Sequence, residues 1–180
     1  MDGNFQRSVI ITHTALFIAM TAVFSWISVP IPFFPVPVTL QTLAVLLTAT
    51  VMKRNAGIPM VLYIILGSLG LPVFHNGTAG IGILLGPTGG YMIGFIPAAL
   101  VAGFLYEKSQ ARIRIGALAA ATLIIYLSGL AWLIVSVPMN PVTAAIIGML
   151  PFLPGDIIKA ALAYLITERV EPHITRLGDP

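Results

Sequence analysis

The chain contains no cysteine, which excludes disulfides and thiolate metal sites. It is also poor in charge. Only 8% of its 180 residues are Asp, Glu, Lys or Arg, against about 25% in an average soluble domain. That is too little charge to cover a water-facing surface, while 58% of the residues are hydrophobic. The solvent that fits such a chain is the lipid bilayer. The net charge is +3, but the basic residues fall in short connectors and not along one face. They are read as determinants of membrane topology, and no nucleic-acid partner is expected. Enzyme signatures are missing as well. There is no H-E-x-x-H pair and no G-x-S-x-G serine, and His13, His75 and His173 lie far apart. No metal, no cofactor and no catalytic residue is expected. No ATP-binding motif is present, so the chain cannot by itself draw on ATP.

What the chain does have is long apolar runs. A helix needs roughly 20 apolar residues to cross a ~30 Å hydrocarbon core. Six stretches meet or approach that length: residues 8–28, 36–52, 56–71, 89–106, 115–137 and a sixth within 142–167. The first follows Arg7 but is too long for a signal-peptide core, and no small-x-small cleavage site follows it; it is read as a retained span. The second opens out of the cluster Pro30, Pro32, Pro35 and Pro37. The sixth contains Pro151 and Pro154, which cannot donate a helical hydrogen bond, so a break is expected, with a continuous helix from near Gly155. Arg7, Lys53, Arg54, Lys108, Arg112, Arg114, Arg169 and Arg176 all fall on one side of this arrangement, and the opposite connectors hold no charge. The expectation is an all-α, polytopic membrane protein with six transmembrane helices, N- and C-termini cytoplasmic, forming a single domain over residues 1–180.

Two ionisable residues of opposite sign fall inside an expected helix, Asp156 and Lys159 in PFLPGDIIKAAL. Each costs on the order of 2.5–3.5 kcal/mol to insert near a helix centre, and a spacing of three puts them on one face. Either they form a structural ion pair, or they contact different parts of a polar ligand. The segment GPTGGY, with Thr88, Gly89, Gly90 and Tyr91, runs glycine-rich backbone into a helix N-terminus, a place suited to an oxygen acceptor or anion. It lacks the Lys-Ser/Thr end of a phosphate loop. PVTLQT contributes Thr39, Gln41 and Thr42 at the outer end of a short helix; threonine is readily satisfied by local backbone, whereas an amide in lipid needs partners. The connector 72–88 is apolar but broken by glycine, and is either an outer-surface loop or a lid over a pocket. Asn76 within it is a second amide candidate or a turn residue. These groups imply an outward-opening pocket walled by Trp26, Phe33, Phe34, Phe74 and Tyr91. Two small-residue stripes complete the pattern: Gly90, Gly94, Ala98 and Ala102, read as packing within the subunit, and the shorter Ala15 and Ala19.

PVPVTLQTLAVLL, GLPVF followed by a glycine-rich stretch and GPTGGYMIGF, and PFLPGDIIKAALA occur in that order. Together they resemble the biotin-specific S component of energy-coupling factor transporters, over about residues 15–163. The resemblance implies a substrate-binding membrane subunit that takes biotin and works with a transmembrane coupling subunit and two cytoplasmic ATPases. It implies docking of that coupling subunit on an A-x-x-x-A stripe of the first helix, which Ala15 and Ala19 match. Biotin suits the residues. Lys159 is the one buried cation for its carboxylate. Asp156, Asn76 or Gln41 can accept from its two ureido N–H groups, and backbone near Gly89 and Gly90 can donate to its ureido oxygen. Contact of both charged residues with one end of the ligand stays open, as do another vitamin and a ligand-free scaffold.

Overall fold

The computed structural model describes residues 3–32 and 34–178, with the side chains of Phe5 and of residues 173–178 excepted. Phe33, expected in the pocket wall, lies outside the described residues, as do the side chains of His173 and Arg176. Among the described residues eight α-helices run in chain order: α1 (Gly3–Trp26), α2 (Gln41–Met52), α3 (Gly57–Ser68), α4 (Ile81–Leu85), α5 (Gly89–Tyr106), α6 (Ala111–Ser136), α7 (Pro141–Gly148) and α8 (Leu153–Gly178). Three of them, α1, α5 and α6, are each long and apolar enough to cross a membrane; α7 with α8 makes a fourth candidate, bent by 54°. The break falls at Pro151, and Pro154 sits in the first turn of α8, where a missing N–H costs nothing.

α2 departs from the expected start at residue 36. Prolines 30–37 deny the segment its helical hydrogen bonds. Instead Ser28–Val29 (β1) pairs antiparallel with Val38–Thr39 (β2), so the proline-rich turn is clipped shut and α2 begins only at Gln41. With 12 residues α2 is roughly 18 Å long, short of the hydrocarbon core. Nearly all its side chains are buried, so it is enclosed by protein and packs against α1, α5 and α8.

α5 and α6 form the tightest helix pair, for the reason the small-residue stripe predicts. A methyl group built on Gly90 would stand 2.2 Å from Trp132 Cβ, and one on Gly94 would stand 2.8 Å from Ser128 Cβ. Gly90, Gly94, Ala98 and Ala102 are all buried. At the basic end, Arg114 is buried over the Tyr106 ring at 4.8 Å and donates to Glu168 and Glu171. Lys53 pairs with Glu171 at 2.8 Å and Arg54 with Glu107 at 2.7 Å. The basic residues of this end thus also tie the end of α2 to α5, α6 and α8. The connector 72–88 folds inward: Phe74 is fully buried, edge-on to Tyr63 at 5.6 Å, and fills the space over Gly67.

Candidate functional site

At the start of α8 the chain places a carboxylate and an ammonium group where both α2 and α6 can reach them. Asp156 and Lys159 are 5% and 8% exposed, which fixes them inside the bundle and not at its lipid face. Lys159 Nζ donates to Asp156 Oδ1 at 2.8 Å and to Thr42 Oγ1 at 3.0 Å. Thr42 in turn donates to Asp156 Oδ1 at 3.0 Å, and the Tyr126 hydroxyl donates to Asp156 Oδ2. Both carboxylate oxygens are therefore held, and the pair is neutral as a unit. Lys159 carries three N–H donors and uses two, so one remains for an acceptor.

This cluster forms part of the wall of a cavity with about 560 Å³ of empty space, part of it open. Room for a water-sized sphere amounts to about 60 Å³ of it, a tight pocket beside typical small-molecule sites. Thr39, Gln41, Thr88, Tyr91, Asp156 and Lys159, all singled out in the sequence, line it together with Thr42. Gln41 Nε2 donates to the Tyr63 hydroxyl at 2.7 Å, which donates on to the Val73 carbonyl at 2.7 Å. That chain orients the amide and leaves its carbonyl oxygen as an acceptor. Tyr91 is positioned by a gap: its ring lies where a Cβ on Gly129 would be, and its hydroxyl donates to the Gly148 carbonyl at 2.8 Å.

Asn76, Gly89 and Gly90 are not among the lining residues. Asn76 is exposed and adopts φ 55°, ψ 25°, a left-handed turn conformation that asparagine tolerates. The Gly89 N–H is taken by the Gly86 carbonyl at 3.1 Å, and a Cβ there would stand 1.7 Å from the Leu84 carbonyl oxygen; the two glycines serve close packing. The aromatic wall also differs from the expected one. Trp26 is half exposed and donates to the Pro72 carbonyl at 2.9 Å, Phe74 is core, and Phe34 does not line the cavity. The wall is made by Tyr91, Phe95, Tyr126 and Phe152 with Met92 and Ile125.

Sequence reasoning missed Tyr126 and His75. His75 lines the cavity, and its Nδ1 is buried without a hydrogen-bond partner. Burial lowers its pKa, so the ring is neutral at pH 7, with one nitrogen donating and one accepting. The one sequence signal was its place in the glycine-rich connector. Among the described residues no cluster of His, Asp or Glu could hold a metal ion. The arrangement offers one free ammonium donor, an anchored carboxylate, an amide oxygen, an unsatisfied imidazole nitrogen and an aromatic wall. That combination is chemically complementary to a small amphipathic molecule with an acidic end and polar N–H groups.

The chain is similar to known proteins along nearly its whole length. The sequence model of the BioY family matches residues 3–176. A probable biotin transporter BioY of Pyrococcus horikoshii is 42% identical over 89% of this chain and 95% of its own length. The biotin transporter BioY of Thermotoga maritima is 40% identical over 87% and 92%. Among solved structures, the crystal structure of the S component for biotin from an ECF-type ABC transporter superimposes with a TM-score of 0.85 at 29% identity, covering 96% of this chain and 95% of that one.

Proposed function

The chain belongs to the BioY family, and from that premise we propose that it is a multi-pass membrane subunit that binds biotin and mediates its uptake. Its relatives are transporters and not enzymes. In this reading residues 1–180 form one substrate-binding domain of six spans with both termini cytoplasmic, the short α2 and α3 counting as spans held within the bundle. It works with a transmembrane coupling subunit and two cytoplasmic ATPases, since the sequence has no ATP-binding motif of its own. No cofactor takes part; biotin is cargo.

The observation that carries the reading is the Lys159–Asp156–Thr42–Tyr126 cluster in the wall of a mainly apolar pocket. The valerate carboxylate of biotin goes to Lys159, which has a donor to spare. Asp156 lies 2.8 Å from Lys159 and so faces the same end of the ligand, holding the ammonium group in place; the ureido N–H groups at the other end go to the Gln41 oxygen. Thr39, Thr88 and the His75 ring supply the remaining polar contacts, and Tyr91, Phe95 and Phe152 cover the ring sulfur and alkyl tail. Asn76, Gly89 and Gly90 act through the connector and the α5–α6 contact. The direct ion pair keeps both charges compensated until ligand arrives.

Calorimetric titration of the purified chain in detergent tests this. Saturable binding of biotin, one per chain, with no heat from thiamine or riboflavin is the expected result. Preference for another vitamin, or no binding by folded protein, would overturn it.

A further inference from the structure

A second cavity lies between α6 and α8 on the outside of the bundle. It measures about 640 Å³ and differs in kind from the ligand pocket. Its floor is small, with Ala119 on α6 and Ala160 and Ala161 on α8; its rims are Ile115, Leu123 and Leu165, each more than half exposed. The Thr122 hydroxyl is turned back onto the Leu118 carbonyl at 3.0 Å, so it offers the groove no unmet polar group. Besides the Tyr164 hydroxyl, polarity appears at one end. There Tyr126 and Asp156 border this groove and the ligand pocket alike, and their hydrogen bond is the partition between the two.

Length and charge identify an occupant. From Ile115 to Tyr126 the groove follows α6 for roughly 16 Å at 1.5 Å per residue, close to half of a ~30 Å hydrocarbon core. One turn before Ile115, on the same face, stands Arg112. It is exposed, and no hydrogen bond or ion pair holds it among the described residues, unlike Arg114, which Glu168 and Glu171 claim. An apolar slot one leaflet long, with a free guanidinium at headgroup level, fits a two-chain anionic lipid. We propose that the α6–α8 groove binds an acyl chain of an anionic phospholipid, with its phosphate on Arg112 and its chain end against the Tyr126–Asp156 partition. The lipid stands in for the helix contact that α6 and α8 do not make along this face.

The test uses the full chain in vesicles of equal parts phosphatidylglycerol and phosphatidylcholine, extracted into mild detergent and weighed by native mass spectrometry. The wild type should retain one phosphatidylglycerol per chain in preference to phosphatidylcholine. Ala160→Phe, which fills the floor, should cut retention about tenfold, a loss of about 1.4 kcal/mol. Arg112→Gln should keep a lipid but lose the headgroup preference. Ala119→Leu reports on the same floor from the other helix and decides the matter where Ala160→Phe does not fold. Undiminished retention in a folded floor variant would overturn the proposal, as would equal retention of both lipids by the wild type. A chain dimer that Ala160→Phe abolishes would assign the groove to a second copy instead. The lipid count is read without biotin, so it stands apart from the ligand assignment.

Discussion

Asp156 has its carboxylate held from three sides, by Lys159, Thr42 and Tyr126. Removing the Tyr126 hydroxyl deletes one hydrogen bond to a charged group, an interaction worth about 1.5–3 kcal/mol, without changing the ring that forms the wall. Tyr126→Phe should therefore weaken biotin binding about tenfold and lower the thermal midpoint in detergent. Unchanged affinity and midpoint would show that the hydroxyl holds nothing of consequence. Asp156 and Lys159 were legible in the sequence because charge inside an apolar run is costly and rarely idle. Tyr126 was not, because a tyrosine in the run 115–137 reads like any other core aromatic. Asn76 was legible as polar, but sequence could not separate a turn asparagine from a ligand contact; in the structure it is exposed and in a left-handed turn conformation. His75, one residue before it, carries the unsatisfied nitrogen.

At the scale of elements, two stripes of small residues have opposite fates. Gly94 lies against Ser128 and Ile125 on α6, so Gly94→Leu overpacks the interface, a change costing typically 1–3 kcal/mol. A lower melting point and poor extraction as a monodisperse species should follow; wild-type stability would mean that α5 and α6 have room that the contact distances deny. Ala15 and Ala19 are both exposed on α1, which leaves their face free for another helix. Ala15→Trp and Ala19→Trp should accordingly bind biotin as the wild type does, yet lose concentrative uptake and co-purification with a coupling subunit. Unchanged uptake and co-purification in both would remove docking from this face, and lost biotin binding would mean that the stripe supports the subunit itself. Helix α5 was readable to the residue, and α6 except for its first turn, which begins at Ala111 and not at residue 115, because hydropathy and length agree. α2 was placed five residues early, because prolines 30–37 direct a strand pair that hydropathy does not register.

For the molecule as a whole, orientation rests on one-sided basic residues, several of which are paired with glutamates at the same end. The pairs do not weaken the assignment, because Lys and Arg set topology and acidic residues contribute little. A single cysteine at exposed Gln110 should label from the cytoplasm only, and one at exposed Asn140 from outside only. Labelling of Gln110 in intact cells by an impermeant reagent would invert the arrangement.

We propose that Lys159 receives the carboxylate of biotin in the pocket between α2, α5, α6 and α8. That assignment is tested most directly by titrating wild type and Lys159→Met with biotin and with its primary amide. A charge-assisted hydrogen bond of about 1.5–3 kcal/mol predicts at least a tenfold loss of affinity for biotin in the variant, and a much smaller loss for the amide, which has no charge to satisfy. Equal losses for both ligands in a folded variant would contradict the account and take Lys159 away from the carboxylate.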